Sequence, residues 1–219
     1  MKVKTFHRNY LPHIRPIGAT FFITMRLDDA LPQHIVKGLT EAFEKEKTDI
    51  IEKYPDDHEE RVYDASKRHF SKYDHQLDDK PYGECHLKNP DVAHIITEKL
   101  NTMDGHYFEL QAYCVMPNHL HLLIDTSIQL AGKHIDESNL DDNYIQLNTT
   151  LKHFKGATGY NSNQALGRSG KFWQRDSYDH YVRDDREWNN VVNYILNNPV
   201  KAGLVQTSFD WQYSYYRYA

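Results

Sequence analysis

The chain has 219 residues, 39% of them hydrophobic, and a formal net charge of −5, which suits one domain with a substantial core, or one domain carrying a large insertion. Its two cysteines, Cys85 and Cys114, make no disulfide framework; this excludes a stapled secreted scaffold and fits a reducing compartment. Met1 to Gly18 carries charge and prolines but no apolar signal-peptide segment, and no run of about 18 apolar residues occurs, so a cytoplasmic protein with no membrane partner is expected.

In chain order, Ala19 to Leu27 is β-branched and aromatic and predicts a strand. From Pro32 to about Tyr54, Ile35, Leu39, Phe43 and Ile50 recur at helical spacing. Residues 55–87 are acidic and polar, expected as an insertion or mobile loop with one helical stretch from Glu59 to Tyr73. Asn89-Pro90 starts a helix to about Met103, with Val92, Ile95, Ile96 and Leu100 on one face. Tyr107–Val115 and His119–Asp125 read as two strands of a hairpin joined by Met116-Pro117-Asn118. Residues 126–143 form a polar connection. A helix follows from about Tyr144 to Thr158, its end loosened by Gly156 and Gly159. Residues 160–171 have loop composition, and Phe172 to Val182 is expected to be extended. Asp184-Asp185 caps a helix from Arg186 to Asn197, which Pro199 stops. Hairpin-linked strands with segregated helices predict an α+β fold, an antiparallel sheet with helices packed on it.

The charge is unevenly distributed. Residues 1–27 carry Lys2, Lys4, Arg8, Arg15 and Arg26 with no acid, and residues 150–175 carry Lys152, Lys155, Arg168, Lys171 and Arg175 with no acid. Residues 28–149 hold 25 acids against 12 bases. Two clean basic segments in an acidic chain make a phosphate-binding footprint, or else chance clustering on solvated faces. Phe172 and Trp173 interleave with the second segment and offer stacking surface for unpaired bases; core packing is the competing role for Trp173.

Inside the strongly apolar run from Tyr113 to Ile124 stand His119 and His121. The side-chain period of a strand is two, so both imidazoles project from one face and form half of a metal site. Cys114 is expected on the opposite strand face, as a buried thiol. The last helix places Tyr194 and Asn198 four residues apart, hence on one face. Taken alone, each has a plainer role: a core-edge tyrosine, and a helix C-cap before proline.

Pro117-Asn118-His119-Leu120-His121-Leu122-Leu123, Gly167 to Arg175, Tyr178-Asp179-His180, and Tyr194-Ile195 through Asn198-Pro199-Val200-Lys201-Ala202-Gly203-Leu204-Val205 follow one another in that order. Together they resemble the REP-associated tyrosine transposases and their insertion-sequence relatives, single-tyrosine transposases of the His-hydrophobic-His (HUH) endonuclease superfamily. The resemblance covers roughly residues 8–27 and 105–215. It implies a single domain over 1–219 with a ferredoxin-like HUH core and an acidic helical insertion at about 28–104. It also implies that Tyr194 is the nucleophile and that His119, His121 and Asn198 hold Mg²⁺ or Mn²⁺. DNA contacts are expected from Lys152, Lys155, Arg168, Lys171, Trp173, Arg175 and Arg183. The activity implied is metal-dependent nicking and joining of single-stranded DNA at hairpin-forming repeats, through a 5′-phosphotyrosine link, by a monomer or homodimer. The alternatives are a domesticated DNA-binding protein that does not cut, and a zinc hydrolase or cupin-like protein that would need His180 or Asp125 as a further ligand.

Overall fold

The computed structural model describes residues 4–8, 12–79, 82–133 and 143–219. Strands β1 (Lys4–Arg8) and β2 (Pro12–Pro16) pair as a separate two-stranded antiparallel sheet. The main sheet contains β3 (Thr20–Arg26), β4 (Glu109–Val115), β5 (His119–Asp125), β6 (Tyr178–Tyr181) and β7 (Ser214–Tyr216). Its spatial order is β6-β3-β5-β4-β7, with every pair antiparallel. Five helices are described: α1 (Gln33–Lys53), α2 (His58–Asp79), α3 (Pro90–Met103), α4 (Leu147–Ala165) and α5 (Asp185–Lys201). The expected α+β architecture, an antiparallel sheet with helices on it, is the one observed.

The alternation of side chains along β3 and β5 builds two different layers. Phe21, Ile23, Met25 and Leu27, with Leu120, Leu122 and Ile124, face α3 and α4 and join Val92, Ile96, Leu100, Leu151 and Phe154 in the main core. Phe22 and Leu123 face the other way, joining Ala112, Cys114, Val192 and Ile195 of a smaller cluster under α5. In β4 the register shifts between Leu110 and Ala112. The extra residue Gln111 changes the phase of the strand, so Leu110, Tyr113 and Val115 all reach the main core. α3 thus packs on the sheet although it lies inside the acidic stretch; α1 and α2 are the pair that stand apart from the sheet's own sequence of elements. α2 reaches the smaller cluster through Phe70, whose ring meets Phe22 edge-on at 5.6 Å.

Several boundaries differ from the sequence expectation, each for a local reason. α2 continues past Tyr73 to Asp79, because Asp74 and Leu77 are buried by tertiary contacts that no acidic composition announces. α4 runs through Gly156 and Gly159 to Ala165. Gly159 is a point of close approach: a Cβ there would lie 3.3 Å from Phe172 Cβ. Pro199 lies inside α5, and the helix runs on to Lys201, closed off after the Ala202 cap by Gly203 in the left-handed conformation at φ +67°. There Leu204 N–H bonds Pro199 C=O at 2.9 Å and Gly203 N–H bonds Val200 C=O at 3.0 Å, the double closure that suits glycine. Of the segment expected to be extended, only Tyr178–Tyr181 is a strand, while Leu27 and Trp173 form an isolated bridge. Half of the polar connection at 126–143, residues 134–142, lies outside the described residues, and Ser127–Leu130 within it forms a short 3-10 turn.

Candidate active site

The β4–β5 hairpin turns over two residues, Pro117 and Asn118, with Met116 N–H bonded to His119 C=O at 2.8 Å. Pairing across that turn sets His121 opposite Thr24 on one side and Cys114 on the other. Directly paired residues of antiparallel strands share a face, so Cys114 lies on the histidine face and not opposite it. Counting along one strand does not carry its parity through a two-residue turn. Cys114 is nonetheless turned aside, with its thiol 3.5 Å from Met116 Sδ.

His119 and His121 are fully buried. Their Nδ1 atoms are held from behind, His119 by Asn118 Oδ1 at 2.7 Å and His121 by Thr24 Oγ1 at 2.8 Å. Asn118 Oδ1 can only accept, so His119 Nδ1 carries a proton and its Nε2 is left as a lone pair. The two Nε2 atoms converge to 2.9 Å. Burial pushes the His119 imidazole down to about 3, and burial together with the adjacent His119 puts His121 well below the ordinary histidine range. Both rings are therefore neutral at pH 7, the form that ligates a metal.

α5 brings Tyr194 and Asn198 onto this pair. Asn198 is fully buried, its Nδ2 is 3.2 Å from His121 Nε2, and its Oδ1 accepts no hydrogen bond. The amide's N and O are near-isosteric, so turning it over would present the oxygen to the same place. The Tyr194 ring meets His121 at 5.3 Å and Phe22 at 5.8 Å, both edge-on. Lys201 Nζ, one turn after Asn198, stands 4.8 Å from the Tyr194 ring centroid.

The remaining wall comes from α2. Asp74 and Asp78, four apart and so on one face, each address one histidine. Asp74 Oδ1 is 3.6 Å from His121 Nε2, and Asp78 Oδ1 is 3.7 Å from His119 Nε2. Asp74 Oδ2 accepts a hydrogen bond from the Tyr194 hydroxyl. Burial, reinforced by Asp78, pushes the Asp74 carboxyl well above its usual range, and Lys201 opposes the shift. Asp74, His119 and His121 offer ligand atoms that all lie within 4.8 Å of one another. The donor set fits a divalent cation: two convergent imidazole lone pairs, a carboxylate oxygen and an amide oxygen, the last two without hydrogen bonds.

Compared with known proteins, no family model matches this chain. A Haemophilus influenzae protein provisionally named a REP-associated tyrosine transposase is 34% identical over 113 residues, covering 52% of this chain and 61% of that protein. The Escherichia coli REP-associated tyrosine transposase is 28% identical over 107 residues, 49% of this chain and 53% of that one. Over about half its length this chain is similar to proteins named REP-associated tyrosine transposases. It spans less than two thirds of the length of either named relative. Among solved structures, a REP-associated tyrosine transposase bound to a REP hairpin is 17% identical, with TM-score 0.48, over 97% of this chain and 82% of that one.

The expected DNA-contacting residues do not gather at the histidines. Lys152 is exposed on α4, the helix packed on the other face of the sheet. Lys155 caps the carbonyls of Gln174 and Arg175 at 2.8 and 3.1 Å, and burial lowers its ammonium to about 8. Arg168 donates to Lys171 C=O at 3.3 Å, and Lys171 and Arg175 are exposed. Trp173 is in the core, its Nε1–H bonded to Thr158 Oγ1 at 2.9 Å. Arg183 lies 3.6 Å over the Tyr63 ring. Within the first basic segment, Arg15 is buried against Asp179 and Arg26 is buried over Tyr73. His180 and Asp125 are occupied elsewhere, with Glu187 at 2.9 Å and Ser127 N–H at 2.8 Å respectively. Asp74, Asp78 and Lys201 are the site residues that sequence reasoning missed. Their only signal was spacing: Asp74 and Asp78 share a helix face, and Lys201 follows Tyr194 by two turns.

Proposed function

We propose that this protein is a metal-dependent single-stranded DNA endonuclease and strand transferase, a cytoplasmic transposase acting on hairpin-forming repeats as a monomer or homodimer. The observation that carries the reading is the meeting of Tyr194 and Asn198 with the His119–His121 pair, at the end of a helix that no local sequence rule requires to be there. The names of the relatives support the DNA-processing class. His119, His121 and Asn198 hold Mg²⁺ or Mn²⁺, which when bound relieves charge on the scissile phosphate. Tyr194 Oη attacks phosphorus and gives up its proton, the bond to the 3′ oxygen breaks, and that oxygen takes up a proton to leave as a 3′-hydroxyl, so protons balance across the step. The 5′-phosphotyrosine conserves the bond, so a second 3′-hydroxyl can displace the tyrosine and join the strands without water or a nucleotide. Lys201 sits where it can meet the phosphate. The exposed Lys152, Lys171, Arg175 and Arg183, with Arg168, supply salt-dependent backbone contacts away from the chemistry.

One observation favours a second reading. Asp74, His119 and His121 form a two-histidine, one-carboxylate group, the kind of set that activates water in metal hydrolases. A single experiment separates the two. A labelled single-stranded hairpin from the DNA flanking the gene is incubated with protein and Mn²⁺, and products are resolved on a denaturing gel. A covalent protein–5′-DNA adduct, absent in Tyr194→Phe, is expected. Cutting that survives Tyr194→Phe without an adduct would establish the hydrolase instead. Binding without cutting would establish the non-cleaving binder.

A further inference from the structure

The acidic segment between β3 and β4 has so far only a position. Two of its carboxylates change that. α2 is a helix of 22 residues with seven Asp, Glu, Lys or Arg residues in its first 15 positions, yet its Asp74 is 4% exposed. A carboxylate is rarely buried without a compensating charge, and Tyr194 offers Asp74 Oδ2 only a neutral hydroxyl. Here Asp74 faces two neutral imidazoles, and its nearest companion on the helix is a second acid. Acids at i and i+4 repel, and among the described residues the cation that acts on Asp74 is Lys201, which is exposed. Asp74 Oδ1, pointed at His121 from 3.6 Å, accepts no hydrogen bond. The Nε2 atoms of His119 and His121 converge on the same point, 2.9 Å apart. A positive charge where the four groups meet would offset the buried carboxylate and engage both converging nitrogens.

We infer that Asp74 is a ligand of the divalent metal and that through its other oxygen it positions the Tyr194 hydroxyl, so the acidic insertion supplies part of the active site. The inference rests on the proposed metal site of His119 and His121. It changes that site's character: two imidazoles and an amide carry no charge, whereas Asp74 adds a negative one, which strengthens binding of a hard cation. It also ties the nucleophile to the metal. The oxygen that accepts from Tyr194 belongs to the carboxylate that ligates, so loading the metal and orienting the phenol become one event.

The test is calorimetric titration of the full chain with Mn²⁺, without DNA, for wild type, His121→Ala and the isosteric Asp74→Asn. Thermal melting of each variant confirms the fold. Wild type is expected to bind one Mn²⁺, His121→Ala to lose it, and Asp74→Asn to bind at least about tenfold more weakly. Asp74→Cys then distinguishes a ligand from a supporting residue. With Cd²⁺ it should show a sulfur-to-metal charge-transfer band beyond any seen in wild type, which already contains Cys85 and Cys114. Unchanged Mn²⁺ affinity in Asp74→Asn, with His121→Ala inactive in binding, would overturn the role of Asp74 while leaving the proposed function intact. Weakened Mn²⁺ binding in Asp74→Asn with no extra Cd²⁺ band in Asp74→Cys would overturn direct ligation. No Mn²⁺ binding by wild type would overturn the metal site itself, and this inference with it.

Discussion

The two faces of one sheet could hardly differ more, although the same strands make both. Leu120, Leu122 and Ile124 of β5 pass into a hydrocarbon layer under α3 and α4. His119 and His121, their immediate neighbours in sequence, pass into a polar chamber roofed by α2 and α5. The first face is interchangeable in kind, since any well-packed apolar set would serve it. The second depends on individual atoms: Asn118 and Thr24 hold the Nδ1 positions so that both Nε2 atoms point inward. One layer holds the fold together, and the other spends some of that stability on buried polar groups.

The sharpest way to break this division is Tyr194→Phe. Cleavage should fall by about a thousandfold or more, while the fold is kept by the ring contacts with His121 and Phe22 and the melting temperature drops only by what the lost hydrogen bond to Asp74 contributed. A gel assay and a thermal melt on the same preparation check it. Leu122→Ala tests the opposite face. It should cost about 2–5 kcal/mol of unfolding free energy, measured in urea, while Mn²⁺ affinity of the folded fraction stays unchanged. If metal binding collapsed in proportion, the two faces would not be independent. Asn118→Ala removes the acceptor behind His119. Weakening of Mn²⁺ binding by about tenfold is expected, with a small loss of stability.

The smallest effect concerns Glu187, which accepts from Lys67 Nζ at 2.8 Å and His180 Nε2 at 2.9 Å. Burial alone would raise its carboxyl, but Lys67, the Arg183 N–H and His180 together bring it down to about 2. A depressed folded-state value means the stabilisation is complete above the ordinary glutamate range and is lost as pH falls through about 2. Glu187→Gln should therefore melt below wild type at pH 7, and the gap should close as both are titrated from about pH 4.5 toward pH 2.

How much of this was legible in the sequence depended on how local its cause was. β5 follows from an apolar run and a Pro-Asn turn, α3 from Asn89-Pro90, and the shared face of Tyr194 and Asn198 from helical spacing. That the two reach the histidines is a tertiary fact, and the resemblance to a family was what made it an expectation. Asp74 was illegible because 24 other acids between residues 28 and 149 look the same on paper; only the fold carries this one across 120 positions to Tyr194. β7, three residues of Ser-Tyr-Tyr, is held by its pairing with β4 and carries no signal of its own. The end of α5 was misread because Pro199 is conspicuous, while Gly203 does the stopping.

The chamber is assembled from four distant stretches of chain, around Thr24, around Asp74, around His119 and around Tyr194. No one of them, nor any two, contains it. A chain still emerging from the ribosome, or one clipped between these stretches and come apart, has the tyrosine or the histidines but never the arrangement. For a protein proposed to cut its host's own DNA, that makes correct folding of the whole molecule the permit for the first cut.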